Sequence, residues 1–173
     1  LHDRFMIIHV NKCLNHNHLN NLEITIHKLY SLIKHMTLLY HSEKIIKSID
    51  IYNRRIGRIS FQNLINTIIQ KPNVQRIIDN DKVNEIVKLQ DKYYKSGNHN
   101  FNFLGTINIH CCEETQKNYL VDGQHRFEAV NLLYREHNYK NEEILIEIVK
   151  VNTMEELKFN YKMINKNTEL PEF

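Results

Sequence analysis

One short segment, residues 119–126 (Tyr-Leu-Val-Asp-Gly-Gln-His-Arg), combines residue types that can bind an anion. An apolar run ends at Gly123, His125 and Arg126 follow directly, and an amphipathic helix then begins. The first N–H groups of a helix lack partners inside the helix, and the helix dipole adds partial positive charge there. Glycine lets the backbone approach a ligand closely, and arginine donates paired hydrogen bonds to phosphate oxygens. The segment therefore predicts a phosphate-binding turn.

The same residues also have purely structural interpretations. Strand–glycine–helix turns are common, and Arg126 is equally compatible with a surface charge near Glu128. Asp122 suits three roles, because a carboxylate there can orient His125, bind a metal ion or cap the following helix. Histidine exchanges protons near neutral pH. The candidate catalytic residues are therefore His125 and, because its carboxylate can orient His125, Asp122.

The turn carries a resemblance to a known family. Residues 122–126 spell Asp-Gly-Gln-His-Arg, the signature of the DGQHR-domain proteins, a group that includes DndB-like proteins. The chain also resembles the wider ParB/sulfiredoxin superfamily. Residues 72–76 (Pro-Asn-Val-Gln-Arg) are similar to a segment of ParB N-terminal domains, and residues 163–168 lie where ParB-like proteins place a second, Asn-containing phosphate box. The resemblance covers roughly residues 58–170.

The resemblance implies a compact α/β module that binds a nucleoside triphosphate, CTP or ATP, together with Mg²⁺. It also implies a regulatory role associated with DNA metabolism. Without the resemblance, Asn165 is interpretable as a helix C-cap and Arg76 as the partner of Asp79 in a surface ion pair. The nucleotide-binding residues that we expect are Gly123, Gln124, His125, Arg126, Arg76, Asn165 and Lys166.

Two departures from the relatives affect the expected activity. Sulfiredoxins carry a catalytic cysteine at the position of Gln124, so we expect no sulfinic acid reductase activity. ParB proteins that hydrolyse CTP carry Gly-Glu-Arg-Arg. Here Gln124 replaces the glutamate, and an amide is a poorer ligand for Mg²⁺ than a carboxylate. The sequence leaves open whether the nucleotide is hydrolysed.

Three functions therefore stay open. The first is a nucleotide-binding module, with or without NTPase activity. The second is a ParB-like nuclease or phosphodiesterase, although metal-assisted hydrolysis usually needs convergent carboxylates and only Asp122 and Glu128 lie near the turn in sequence. The third is a non-enzymatic regulator that binds DNA, a DNA-bound protein or a second copy of itself.

Composition sets broader limits. The 173 residues correspond to one domain with an appendage, and 42% apolar residues suffice for a core. No apolar stretch is long enough to span a membrane and no signal peptide is visible, so we expect an intracellular, soluble protein, cytoplasmic or nuclear. Three cysteines without a disulfide spacing agree with a reducing compartment. Alanine occurs once whereas Asn, Ile and Lys abound, as in an AT-rich genome, and a viral origin is compatible with this bias.

The charge is unevenly distributed along the chain. Residues 1–60 hold nine Lys/Arg and four Asp/Glu, giving +5, and residues 61–173 hold fourteen and sixteen, giving −2, which together recover the net +3. A basic N-terminal part favours contact with an acidic partner or nucleic acid. A solvated helical face is the simpler interpretation.

The N-terminal part, residues 1–57, is expected to contain an irregular segment and an amphipathic helix. Apolar residues from Leu22 to Tyr40 recur at alternating four- and three-residue steps, and residues 45–52 continue the set. This helix would either form a homodimer through residues 22–52 or pack against the domain or a partner. The polar, basic run at 53–58 is the expected boundary.

Residues 58–173 are expected to form the core domain. The apolar periodicities alternate between those of helices and those of strands, which predicts fold class α/β (mixed α+β), a small mixed sheet flanked by helices. Pro72 is expected to end the first helix and Asp81 to cap the second. The predicted elements are helices from 61 and from 81, strands at 104–112 and 119–122, a helix at 124–136, a central strand at 144–151 and a helix at 154–166.

Overall fold

The computed structural model describes residues 38–71, 77–98 and 100–165, all within one compact unit of the chain. It shows a six-stranded mixed sheet with four α-helices, which confirms the predicted mixed α/β class. No helix in these ranges is both long enough and apolar enough to cross a membrane. The strands are β1 (Ile46–Ile51), β2 (Arg54–Ser60), β3 (Ile69–Gln70), β4 (Ile107–Cys112), β5 (Lys117–Asp122) and β6 (Glu143–Val151). The helices are α1 (Phe61–Ile65), α2 (Asn80–Tyr93), α3 (Gln124–Glu136) and α4 (Met154–Asn165), with a 3₁₀ turn at Leu39–His41 and a π turn at Tyr94–Asn98.

The strand order is β1-β2-β6-β4-β5-β3. The pairs β4–β6 and β3–β5 are parallel, and the other pairs are antiparallel. The β-branched run at 144–151 was predicted to be a central strand, and β6 does lie in the interior of the sheet, between β2 and β4. Its position explains the composition, because a strand covered on both faces needs apolar side chains on both.

The two faces of the sheet support two separate hydrophobic clusters. The larger core contains Ile107, Ile109 and Cys111 of β4 and is covered by α1, α2 and α3. The second core contains Cys112 and is covered by Leu157 of α4. Successive side chains of a strand point to opposite faces, so the prediction that the adjacent cysteines diverge is confirmed. Both thiols are free and buried.

The region around residue 50 differs from the expectation. Residues 46–51 form β1 instead of continuing a helix, and the expected boundary at 53–58 lies in the hairpin turn and in β2. Seven consecutive residues of β2 pair with β6, and β1 pairs with β2 in turn. The backbone hydrogen bonds of this pairing outweigh the helical spacing of the few isoleucines in the segment. Isoleucine also has high β propensity, so these residues fit a strand. Most of the predicted seam, residues 22–36, lies outside the described residues, and its last member, Tyr40, lies in the 3₁₀ turn. Dimerisation through residues 22–52 therefore stays a prediction.

Two further details of the expected elements are wrong. The helix from Phe61 ends at Ile65, and Ile69–Gln70 forms β3, because these two residues pair in parallel with β5. The cap of α2 is Asp79 and not Asp81, since Asp79 has the extended backbone of an N-cap, with φ −84° and ψ 103°. Its Oδ1 atom accepts hydrogen bonds from the backbone N–H groups of Asp81 and Lys82, at 3.1 and 3.2 Å.

Candidate functional site

The residues 122–126, called the signature turn below, join β5 to α3. Helix α3 begins at Gln124, as predicted, and Gly123 is its N-cap residue with φ 85° and ψ 24°. A Cβ atom on Gly123 would lie 3.0 Å from Ile107 Cα and 3.1 Å from the carbonyl oxygen of Thr106. Both the left-handed backbone and the lack of space therefore require glycine at this position.

The N-terminus of α3 differs from those of the other three described helices. Ser60 caps α1 and Asp79 caps α2 through side-chain oxygens. In the first turn of α4, Thr153 Oγ1 accepts from the backbone N–H of Glu156. Helix α3 has no side-chain cap and no acidic residue in its first turn. At the start of α3, therefore, no side-chain oxygen accepts from the first N–H groups or offsets the positive end of the helix dipole, as one does in each of the other described helices.

Arg126 is held by the backbone and by Asp122. Its Nε and Nη2 atoms donate to the carbonyl oxygen of Thr106 at 3.1 and 2.8 Å, and Nη2 also donates to Asp122 Oδ2 at 3.2 Å. The Arg126 side chain is 25% exposed. It is therefore not a surface charge associated with Glu128, which pairs with Lys71. Asp122 binds Arg126 and does not cap α3.

His125 connects the start of α3 to the start of α2. Its Nε2 atom accepts a hydrogen bond from the backbone N–H of Asp79 at 3.2 Å. An imidazole nitrogen that accepts carries no proton, so this contact assigns the proton of neutral His125 to Nδ1. Asp122 and His125, the two candidate catalytic residues, thus have different partners, Arg126 and Asp79.

Asn165 reaches the end of β5 from α4. Its Nδ2 atom donates to the carbonyl oxygen of Tyr161 at 2.9 Å and to that of Val121 at 3.4 Å. The structure therefore brings Asn165 next to the signature turn, while the Tyr161 contact agrees with an ordinary helix-end role. Gln124 is half-buried in the first position of α3. Arg76 and Lys166 lie outside the described residues.

A row of polar residues beside the turn was missed at the sequence level. Asn108 of β4 pairs with Glu147 of β6 on one side and with Asp122 of β5 on the other. Asn108 Nδ2 donates to Glu147 Oε2 at 3.0 Å, and Arg54 Nη1 donates to Glu147 Oε1 at 3.0 Å. The sequence contains one indication of this row, an asparagine inside an apolar strand. Its cross-strand partners can be identified only from the register of the sheet.

A buried histidine lies on the same face of β4, two residues beyond Asn108. His110 is 1% exposed, and neither ring nitrogen has a hydrogen-bond partner among the residues that the structure describes. Burial, with a smaller contribution from Arg54, lowers the pKa of His110 to about 4. His110 is therefore neutral at pH 7. Burial likewise raises the pKa of the Cys111 thiol to about 12, so it is not a reactive thiolate at neutral pH.

Comparison with protein-family models finds no family that matches this chain, and comparison with curated proteins finds no significant match. The resemblance to DGQHR-domain proteins is therefore carried by the quoted residues alone.

Proposed function

We propose that this chain is a nucleotide-binding module that holds the phosphate groups of a nucleoside triphosphate at the signature turn. The observation that carries the proposal is the uncapped N-terminus of α3, a 13-residue helix that starts directly after the glycine at the end of β5. Exposed N–H groups and the positive end of a helix dipole form a general anion-binding site. Gly123 itself presents no side chain that would stand between these N–H groups and a ligand.

The side chains around the turn suit the same ligand. Arg126 contributes a positive charge, and its Nη1 atom has no hydrogen-bond partner within the described ranges. His125 presents Nδ1–H as a second donor, since its Nε2 atom is occupied by Asp79. Rigid donors cost little ordering entropy on binding, and the backbone contacts of both side chains supply that rigidity.

The family resemblance favours a regulatory role in which the nucleotide controls contact with DNA-associated proteins.

The proposal is tested by thermal denaturation with ATP, CTP, GTP, UTP and ADP, each with Mg²⁺ and with EDTA. A ligand that binds only the native state raises Tm by mass action. We expect at least one triphosphate to raise the Tm of the wild type. The increase should be lost in Arg126→Ala and retained in Arg58→Ala, a matched control that removes an ion pair elsewhere in the sheet. A wild type whose Tm responds to none of the nucleotides would refute the proposal.

A further inference from the structure

A cleft of about 600 Å³ opens at the end of the sheet where β6 begins. Three parts of the chain line it, namely Lys47 of β1 with Arg58 of β2, the loop residues 100–103, and residues 141–145. Ligand pockets commonly enclose about 300–1,000 Å³, so the cleft is large enough for a small molecule or a short peptide. None of its lining residues belongs to the signature turn, so its role is a separate question from phosphate binding.

The cleft contains charges of both signs, and each sign comes from a different segment. Strands β1 and β2 contribute the cations Lys47 and Arg58, and the segment that enters β6 contributes Glu142 and Glu143. Arg58 and Glu143 form an ion pair at 3.7 Å. Lys47 and Glu142 have no ion-pair partner in the described part of the chain. The cleft therefore offers one uncompensated charge of each sign to a ligand.

The loop that lines the cleft is fixed by contacts behind it. Gln90 of α2, which is 4% exposed, donates from Nε2 to the carbonyl oxygen of Asn102 at 3.0 Å and accepts from the Asn102 N–H at 2.8 Å. Phe101 stacks on Tyr94 with ring centroids 5.0 Å apart, and Tyr94 Oη donates to Glu142 Oε1 at 2.9 Å. These contacts hold the loop and the acidic segment in place before a ligand binds, which reduces the entropy cost of binding.

Lys47 has an unusual backbone conformation. The register of β1 shifts between Ile46 and Ile49, and Lys47, at this bulge, has φ 48°. A positive φ is uncommon for a residue with a side chain and costs conformational energy. Bulges redirect side chains and are frequent beside functional sites. A strained lysine that lines a cleft and has no ion-pair partner among the described residues points to a binding role for its charge.

We propose that the cleft binds a zwitterion of the amino-acid class, an α-amino acid or a short peptide. The ligand carboxylate contacts Lys47 and the ligand ammonium contacts Glu142, so that complementary charges fix its orientation. The exposed amides of Asn102 and Asn141 line the same cleft. Each can donate to and accept from a peptide group, as Gln90 does with the backbone of Asn102. The two carboxylates of the lining oppose a polyanion such as a nucleic acid. The proposal is independent of nucleotide binding at the signature turn.

The first measurement is isothermal titration calorimetry of the full chain with the common amino acids and a set of dipeptides, chosen by the Tm increase that each produces. We expect at least one of them to bind. Its N-acetyl derivative lacks the ammonium and its C-terminal amide lacks the carboxylate. Each derivative should bind about tenfold or more weakly, as loss of a hydrogen bond to a charged group does. Tighter binding of dipeptides than of amino acids would identify peptides as the ligand, and the reverse order would identify amino acids.

Lys47→Gly separates binding from folding. Glycine adopts a positive φ without strain, so the Tm of the free variant should be no lower than that of the wild type. Its affinity for the zwitterion should nevertheless fall about tenfold or more. Tyr52→Gly is the matched control, because Tyr52 also has a positive φ of 54°, is 98% exposed and does not line the cleft. This control should bind the zwitterion as the wild type does.

Glu142→Gln removes the charge that faces the ligand ammonium. The amide oxygen of glutamine can still accept from Tyr94, so the fold should be preserved. The affinity for the zwitterion should fall, whereas the affinity for the N-acetyl derivative, which has no ammonium, should not change.

Three results would each overturn the proposal. The first is a wild type that binds no amino acid or dipeptide. The second is equal affinity for the zwitterion and its singly charged derivatives. The third is unchanged zwitterion affinity in both Lys47→Gly and Glu142→Gln. The Tm response to nucleotides should be the same in these variants as in the wild type, so the cleft and the signature turn are tested separately.

Discussion

Arg126 and Thr106 are joined by two hydrogen bonds, from Nε and Nη2 to the same carbonyl oxygen, at 3.1 and 2.8 Å. Thr106 immediately precedes β4, and Arg126 lies in the first turn of α3. Asp122, at the end of β5, accepts from the same guanidinium. One side chain therefore connects three elements whose ends meet at the signature turn.

Arg126→Lys should destabilise the fold by about 1–2 kcal/mol. Lysine keeps the charge but cannot donate two hydrogen bonds in the fixed geometry of a guanidinium. Urea denaturation gives the free energy of unfolding, and Arg58→Lys is the control, because Arg58 makes an ion pair that is half-exposed. Equal changes in the free energy of unfolding of the two variants would show that the hydrogen bonds from Arg126 to Thr106 add no stability.

Gly123→Ala should be more destabilising than Gly97→Ala by about 1–3 kcal/mol. Both glycines have positive φ, 85° and 100°, so both substitutions carry a backbone cost. Only Gly123 is also crowded, since no atom in the described part of the chain lies within 4 Å of a Cβ at Gly97. The difference in unfolding free energy isolates the crowding at the signature turn, and a difference near zero would mean that the turn can relax to admit a side chain.

His110→Met should make the protein less sensitive to acid. The pKa of His110 is about 4 in the folded state, against 6.5 for an exposed histidine of the unfolded chain. Between these values the unfolded chain binds more protons, so the wild type loses stability as pH falls from 6.5 to 4. The loss attributable to His110 is roughly 3 kcal/mol over that range.

The comparison requires unfolding free energies of both proteins at pH 7 and at pH 4.5. The other histidines are common to both proteins, so the difference in pH dependence reports His110 alone. Methionine also removes two unpaired buried nitrogens, and we expect it to be at least as stable as the wild type at pH 7. Identical pH profiles would show that His110 acquires a partner or solvent in the folded state.

Asp79→Ala should cost about 1 kcal/mol, the usual contribution of an N-cap, whereas Asp81→Ala should cost less than about 0.5 kcal/mol. Asp79 Oδ1 accepts two backbone hydrogen bonds at the start of α2, and its own N–H donates to His125. Chemical denaturation of both variants decides which aspartate caps the helix. The reverse order of costs would restore the assignment of Asp81 as the cap.

The sequence alone was informative wherever the cause of structure is local. Gly123 supplies the left-handed backbone that joins β5 to α3, and the apolar spacing after it predicted both ends of α3 correctly. The β-branched run of β6 and the divergence of Cys111 and Cys112 were also predictable, since both follow from strand periodicity.

Tertiary structure decided the features that depend on pairing between distant segments. Residues 46–51 have an apolar spacing that suits a helix, yet they form a strand because their backbone pairs with that of β2. Asn108 meets Glu147 across 39 positions of the chain, and Arg126 meets Thr106 across 20. The sequence thus determined where the signature turn begins and which groups it offers. Which of those groups are already bound was decided by the register of three strands, because register reflects the packing of the whole sheet.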